Sequence, residues 1–121
     1  MRSSRGRKAW ESGLSAEDQA AQFLSESGWT ILLHRAKTPA GETDLVALQG
    51  GVLIFVEVKR RKTLEDAAFS LSLRQQKRLA ASAEILISRN PEWIYDSIRF
   101  DVILLSADSR IEHIRDGFRL T

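Results

Sequence analysis

Two largely apolar segments that flank Gly50 and Gly51 constrain the fold of this chain more than any other feature. Residues 43–48 and 52–59 have the composition of β-strands, and the pair of glycines between them indicates a two-residue hairpin turn. Both segments carry apolar residues on both faces, which is typical of strands covered on two sides. The sequence therefore predicts a hairpin at the centre of a sheet.

Helices are predicted before and after this hairpin. Ser15 is the predicted N-cap of a first helix, with Asp18 as its capping-box partner, and the helix ends near Gly28. Ser72 is the predicted N-cap of a second helix, which runs to about Arg89 and stops before a proline. Residues 63–71 are expected to form the loop between the hairpin and this second helix.

Three further strands are predicted at residues 29–33, 99–105 and, as an edge strand, 110–114. The element order is then α-β-β-β-α-β-β. A helical crossover joins the third strand to the fourth, which predicts that these two strands are parallel. The predicted fold class is therefore α/β, a mixed β-sheet flanked by helices.

Composition limits the classes of protein to which the chain belongs. Its 121 residues are 43% hydrophobic and 28% charged, which is typical of a globular domain with one core. The lack of cysteine excludes disulfides, thiolate nucleophiles and cysteine-ligated zinc. The longest wholly apolar run, residues 52–56, is too short to cross a membrane. We expect a cytoplasmic protein without a membrane partner.

Clusters of positive charge point to a polyanion more clearly than the formal net charge of +2 does. Residues 1–13 are expected to form a flexible basic arm without the apolar segment of a secretory signal, and residues 14–121 a single domain. For any one cluster alone, a solvated surface is the simpler interpretation. The cations expected to contact a nucleic-acid backbone after the arm are Lys59, Arg60, Arg61, Lys77 and Arg78.

The hairpin brings two acids together. Counting back from the glycine turn places Asp44 opposite Glu57, and Glu57 shares a face with Lys59 because side chains alternate along a strand. Like charges opposite each other destabilise a sheet, and an unpaired carboxylate in an apolar run is costly to bury. A Mg²⁺ or Mn²⁺ ion held by Asp44, Glu57 and the Val58 carbonyl would resolve the repulsion. A buried Asp–Lys–Glu ion-pair cluster is the alternative.

Such a cation would polarise a phosphodiester and activate a water molecule. Lys59 would then orient that water or stabilise the developing negative charge. Glu17 lies near the buried edge of the first helix. It either supplies a further carboxylate to the site or is a first-turn acid favoured by the helix dipole.

The roles of other polar and aromatic residues are less specific. Gln75 either orients a phosphate or a water, or serves as the capping-box partner of Ser72. His34 and His113 have no second histidine at metal-binding spacing and are expected at the surface. Trp29 is expected in the core.

With these residues in place, the chain resembles the YraN-like family of small bacterial proteins. That family is similar to archaeal Holliday-junction resolvases and to the restriction-endonuclease-like PD-(D/E)xK nucleases. The most specific match is Gly-Glu-Thr-Asp-Leu-Val-Ala at 41–47 with Phe-Val-Glu-Val-Lys at 55–59. The chain departs from the family pattern at residues 34–37, usually Asn-x-Arg, and at Gln75, usually lysine.

The resemblance implies a restriction-endonuclease-like core in which Asp44, Glu57 and Lys59 match the active-site motif. It also implies that Glu17 is the helix-borne acid of the resolvase-like branch, and that the protein forms two-fold homodimers. The predicted function is a metal-dependent endonuclease, with resolvase-like phosphodiester hydrolysis on DNA. The alternative is a non-catalytic module of the same fold that binds nucleic acid or a protein partner.

Overall fold

The computed structural model of the chain describes residues 15–62 and 71–118. These residues follow the predicted order α-β-β-β-α-β-β. The predicted basic arm at 1–13 lies outside the described residues, as does all of the predicted loop at 63–71 except residue 71. The elements are α1 (Ala16–Glu26), β1 (Thr30–Thr38), β2 (Gly41–Gln49), β3 (Val52–Arg61), α2 (Leu73–Arg89), β4 (Ser97–Ser106) and β5 (Ile111–Ile114).

The five strands form one mixed sheet in the order β1-β2-β3-β4-β5. Neighbouring strands are antiparallel except for β3 and β4, which are parallel and joined through α2. The predicted α/β class, the parallel crossover and the edge position of the last strand are therefore confirmed. β1 extends to Thr38, beyond the predicted end at residue 33, because its polar second half still pairs with β2.

The turn between β2 and β3 is the two-residue hairpin that the glycines predict. Gly50 and Gly51 have φ angles of +54° and +81°, which residues with a side chain adopt only with strain. A side chain at Gly51 would also collide with the carboxylate of Asp96. The Gly51 carbonyl accepts the Asp96 N–H at 2.7 Å, so the turn anchors the segment that leads into β4.

Both faces of the sheet are covered, as the apolar strands predict. One face packs against α1, and the residues that face it from the central strands are Leu45, Ala47, Ile54, Val56, Val58, Ile103 and Leu105. The other packs against α2, and its buried strand residues are Val46, Leu53, Phe55, Val102 and Leu104. Trp29 is buried on the α1 side, as predicted. Within the described residues, neither helix has the length and apolar character needed to span a membrane.

A buried polar network lies on the α1 face of the sheet. Asp101 on β4 is fully buried and accepts hydrogen bonds from the Arg99 guanidinium at 3.1 and 2.8 Å. Its carboxylate also accepts the N–H of Asp116 at 2.9 Å and contacts His113 Nε2 at 2.7 Å. The carboxylate therefore joins β4 to β5 and to the turn that follows β5.

His113 belongs to this network, so its predicted surface position is wrong. Its side chain is only 8% exposed and makes edge contacts with the rings of Phe23 and Trp29. The polarity of an isolated histidine suggested exposure, but the Asp101 carboxylate supplies a buried hydrogen-bond partner that satisfies it. His34, by contrast, is at the surface as predicted, with a side chain that is 43% exposed.

Replacing Asp101 with asparagine tests the strength of this network. Burial raises the pKa of Asp101, but hydrogen bonds from His113, Arg99 and the Asp116 N–H outweigh burial and lower it to about 2. Because this value is below the ordinary one of about 3.9, the carboxylate stabilises the fold above pH 4 and loses that effect as the pH falls toward 2. We expect Asp101→Asn to lower the free energy of unfolding by about 3 kcal/mol at pH 7.

Urea unfolding at pH 7 and at pH 3 measures this difference, which should shrink at the lower pH. Asp108→Asn is a matched control. The pKa of Asp108 is also lowered, by a hydrogen bond from Ser106 and by Arg110, but this side chain is 62% exposed. A loss of stability as large for Asp108→Asn as for Asp101→Asn would contradict the special role of the buried network.

Candidate functional site

The two central strands, β2 and β3, separate at the end remote from their turn. Their pairing runs from Gln49 opposite Val52 to Leu45 opposite Val56, which is the predicted register. Toward Gly41 from Leu45, β2 pairs with β1, and toward Arg61 from Val56, β3 pairs with β4. An opening is therefore left between the strands, and the predicted acidic residues lie beside it.

β2 turns over at Asp44. Residues 43 and 45 share a face in a regular strand, but Thr43 hydrogen-bonds to Ser82 of α2 at 2.9 Å while Leu45 packs on the α1 side. On the neighbouring strand, Arg35 has a φ of +48°, an angle that is uncommon for residues other than glycine. Asp44 on β2 and Arg35 on β1 therefore both depart from regular strand geometry at the edge of the opening.

Asp44 points into the opening as a result. Its Oδ2 atom accepts the backbone N–H of Val58 at 2.8 Å, where a regular hairpin would place a backbone carbonyl. The prediction that Asp44 lies directly opposite Glu57 assumed an unbroken strand and is wrong at this point. The hydrogen bond to Val58 replaces the direct pairing, yet both carboxylates still line the same cavity.

The cavity in the opening has a volume of about 230 Å³ and lies against the first turns of α2. It brings together four of the predicted site residues and adds Glu42, which was not among them. Lys59, Glu17 and Lys77 are not among its lining residues. The residues that line it are Gly41, Glu42, Asp44, Glu57, Gln75, Arg78 and Leu79.

Gly41 shapes one wall of this cavity. Its φ of +144° is accessible to glycine and strained for other residues. A Cβ atom built here would lie 3.6 Å from the Cβ of Arg78, an ordinary contact distance, so the backbone angle and not a lack of space favours glycine. Arg78 lines the same cavity as the two carboxylates.

Glu57 and Lys59 lie on the same face of β3 and form an ion pair. Lys59 Nζ is 3.3 Å from Glu57 Oε2, and the two side chains are 18% and 21% exposed. Lys59 therefore neutralises Glu57 directly, as in the ion-pair alternative. The geometry leaves the charge of Asp44 without a comparable cationic partner among the described residues.

The surroundings of Asp44 disfavour its ionised form. Burial raises the pKa of Asp44 to about 6, and the charges of Glu57, Glu17 and Glu42 act in the same direction. The N–H of Val58 lowers the pKa but does not cancel burial. A cation or a proton is therefore favoured at this carboxylate near neutral pH.

Glu17 acts on this site from the opposite side of the sheet. It lies in the first turn of α1, as the dipole alternative requires, and its charge also reaches Asp44. Arg35 holds it, with Nη2 of Arg35 3.6 Å from Glu17 Oε1 and 2.8 Å from the Ser15 hydroxyl. The sequence did not single out Arg35, although it stands in the segment that departs from the family pattern.

Gln75 is the capping-box partner of Ser72. Its Oε1 accepts the Ser72 N–H at 3.0 Å, and its own N–H donates to the Ser72 hydroxyl at 3.1 Å. This confirms the structural alternative, and it also fixes the Gln75 side chain at the rim of the cavity. Within the described part of the chain, the Gln75 side-chain amide nitrogen donates no hydrogen bond and is available to a ligand.

The oxygen donors around the opening suit a hard cation. A residue in a strand directs its N–H and its carbonyl to the same side, so the Val58 carbonyl points toward the opening with its N–H. Asp44, Glu57 and this carbonyl are donors that Mg²⁺ accepts when substrate oxygens and water complete its shell. No group of three or more His, Cys, Asp or Glu side chains in residues 15–62 and 71–118 has a metal-binding arrangement.

Asp44→Asn tests the electrostatic description of the site. Asparagine retains an acceptor for the Val58 N–H and removes the charge. Because the folded pKa of about 6 exceeds the ordinary value, ionised Asp44 lowers stability above pH 6 and has no such effect below pH 4. In a metal-free buffer, we expect Asp44→Asn to raise the free energy of unfolding by about 1–2 kcal/mol at pH 8, after allowance for partial solvent screening.

Chemical denaturation across pH 4–8 measures this gain, which should disappear at the acidic end. Asp18→Asn provides a control, since Asp18 is 40% exposed and lies 3.9 Å from Arg35 in a surface ion pair. Its effect should be within about 0.5 kcal/mol at every pH. Destabilisation by Asp44→Asn at pH 8 would contradict a strained, uncompensated carboxylate.

Comparison with known proteins places this arrangement in a family. Residues 16–105 match the uncharacterised protein family UPF0102. The chain is 47% identical over 116 residues to a UPF0102 protein of Granulibacter bethesdensis, covering 96% of this chain and 73% of that protein. It is 43% identical over 113 residues to one of Rhodopseudomonas palustris, covering 93% and 87%. It is also 46% identical over 108 residues to one of Azorhizobium caulinodans, covering 89% and 82%.

The matched span contains β2, β3, α2 and all the residues that line the cavity between β2 and β3, which we call the acidic cavity. The identities extend over nearly the whole chain, so they are not confined to one motif. The chain belongs to the UPF0102 family, the YraN-like family that its sequence resembles.

Proposed function

We propose that the chain is a metal-dependent endonuclease, with a restriction-endonuclease-like core, that hydrolyses a DNA phosphodiester in the cavity between β2 and β3. The observation that carries the proposal is that Asp44 and Glu57 line one cavity together with Arg78 and Gln75. The two carboxylates are ligands for a cation, and Arg78 and Gln75 of α2 are hydrogen-bond donors for a phosphate. A purely structural ion-pair cluster would leave no reason for the uncompensated charge on Asp44.

The residues present fit a Mg²⁺ or Mn²⁺ ion. Asp44 and Glu57 would hold it with the carbonyl of Val58. When bound, the ion supplies Lewis-acid polarisation of the phosphodiester and a lowered pKa for the attacking water. Asp44 keeps one carboxylate oxygen on the Val58 N–H, which fixes its orientation while the other oxygen remains for the cation.

The remaining side chains act on the substrate. The Lys59 ammonium, now within 3.3 Å of Glu57, would orient the attacking water or stabilise the charge that develops on the phosphorane. The Arg78 guanidinium and the Gln75 amide would hold non-bridging phosphate oxygens. Glu17, restrained by Arg35, would add negative charge that strengthens cation binding at Asp44.

DNA is the proposed partner, because the cations around the site match a polyanion. Contacts of this kind hold the backbone and do not read the bases, so we propose binding without sequence specificity. We also propose a homodimer, which would present two such sites to two strands. Binding driven by these cations is expected to weaken steeply with added salt.

Metal titration combined with a cleavage assay tests the proposed function. Calorimetric titration of Mg²⁺ and Mn²⁺ into wild type should show binding that Asp44→Asn abolishes. In the same samples, wild type should cut branched or single-stranded DNA when metal is present and should not cut it without metal. Asp44→Asn should not cut under either condition. Asp18→Asn should behave as wild type in both assays, because Asp18 does not line the cavity.

The outcomes separate the catalytic proposal from its alternative. Since Asp44→Asn is expected to stabilise the fold, loss of metal binding in this variant would not reflect unfolding. Metal binding without cleavage of any DNA tested would favour a non-catalytic binding module. Absence of metal binding by wild type, even with DNA present, would rule out the catalytic proposal.

Replacing Lys59 with glutamine separates chemistry from metal binding. We expect kcat to fall by about 10²–10³-fold, because a charged donor at the developing phosphorane is lost. Metal affinity should stay the same or rise, because the ammonium that pairs with Glu57 has been removed. Single-turnover cleavage and calorimetry measure the two effects. A matching loss of metal affinity would show that Lys59 acts mainly by supporting the metal site.

A further inference from the structure

A second cavity lies at the carboxyl ends of the two parallel strands. It has a volume of about 400 Å³, and its lining includes Gln19, Arg60, Arg61, Lys62, Ser106 and Ser109. β3 ends at Arg61 and β4 at Ser106. The N–H of Ala107 donates to the Lys62 carbonyl at 3.4 Å, which keeps the two chain segments together beyond the strands. This is the edge at which α/β sheets commonly bind ligands.

This basic cavity is separate from the acidic cavity at Asp44 and Glu57. The two share no lining residue. Lys59 points to the face that α2 covers, so Arg60, the next residue of the strand, points to the α1 face. Gln19 of α1 lines the basic cavity, in agreement with that direction. Glu57 and Lys59 of the proposed active site therefore lie on one face of β3, and Arg60 lies on the other.

The charge of the basic cavity favours an anion. Three consecutive cations line it, and no Asp or Glu of the described residues does so. The acid in the adjoining turn, Asp108, is already engaged by Arg110 at 3.1 Å and by the Ser106 hydroxyl. The side chains of Arg60 and Lys62 are exposed, so their charged ends can meet a ligand from solvent.

We propose that the basic cavity binds a backbone phosphate of the nucleic acid at a position other than the one to be hydrolysed. Guanidinium and ammonium groups are donors that match phosphate oxygens. Ser109 adds a hydroxyl to the lining of the cavity. The identity of the polymer rests on the proposed function. The site itself requires no metal, because its attraction for phosphate comes from cations, above all the exposed Arg60 and Lys62, rather than from the carboxylates.

Binding of DNA in the absence of metal tests this proposal. Fluorescence anisotropy with a labelled single-stranded DNA oligonucleotide, in a buffer containing a chelator, gives the affinity of the full chain at several salt concentrations. The test variant is Arg60→Gln with Lys62→Gln. The matched control is Arg89→Gln with Arg115→Gln, which removes the same charge from exposed residues that line neither cavity.

We expect the test variant to lose about tenfold in affinity and its slope of log K against log salt to fall by about 2. The control should change both quantities much less. Equal losses in the two variants would show an effect of net charge alone and would overturn the proposal, as would no loss in either. Unchanged melting temperatures would establish that both variants fold.

Two further measurements make the result specific. The charge-conserving variant Arg60→Lys with Lys62→Arg should retain wild-type affinity if the cavity acts through its cations. Tight calorimetric binding of inorganic phosphate, with unchanged DNA affinity in the test variant, would assign the cavity to a small phosphate ligand and overturn the DNA proposal. Because no metal or cleavage enters these assays, failure of the nuclease proposal would leave their outcome readable.

Discussion

The hydrogen bond from the Val58 N–H to the Asp44 carboxylate is the contact on which the candidate site depends. At this level β2 and β3 no longer pair, and a buried strand N–H without a partner would be costly. The side chain of Asp44 supplies the missing acceptor. The strands can therefore separate and form a cavity while the Val58 N–H of β3 keeps a hydrogen-bond acceptor.

The same contact places a carboxylate where its charge is disfavoured. Asp101 is fully buried and Asp44 is partly buried, but Asp101 is surrounded by donors whereas Asp44 is surrounded by acids. The first arrangement lowers the pKa and stabilises the fold, and the second raises the pKa and destabilises it. Strain of the second kind is typical of functional sites, which is why the proposed chemistry is placed at Asp44, whereas Asp101 has a structural role.

Much of the fold could be predicted because the signals are local. The glycine turn set the register from Gln49 to Leu45, and the two serine caps marked where both helices begin. The register failed at Asp44 because a strand that turns over leaves no trace in the hydrophobic pattern. The prediction for His113 failed for a related reason, since a buried partner more than ten residues away decides whether a histidine is exposed.

The sequence by itself determined the order of elements, the parallel crossover, and the presence of Glu57 and Lys59 on one face of β3, because strand alternation and turn chemistry are properties of short segments. Only the tertiary structure decided the direction of Asp44 and the arrival of Arg78 and Gln75 beside it. It also decided the restraint of Glu17 by Arg35. Those features depend on how helices dock on the two faces of a sheet, and that docking is set by contacts between residues far apart in the chain.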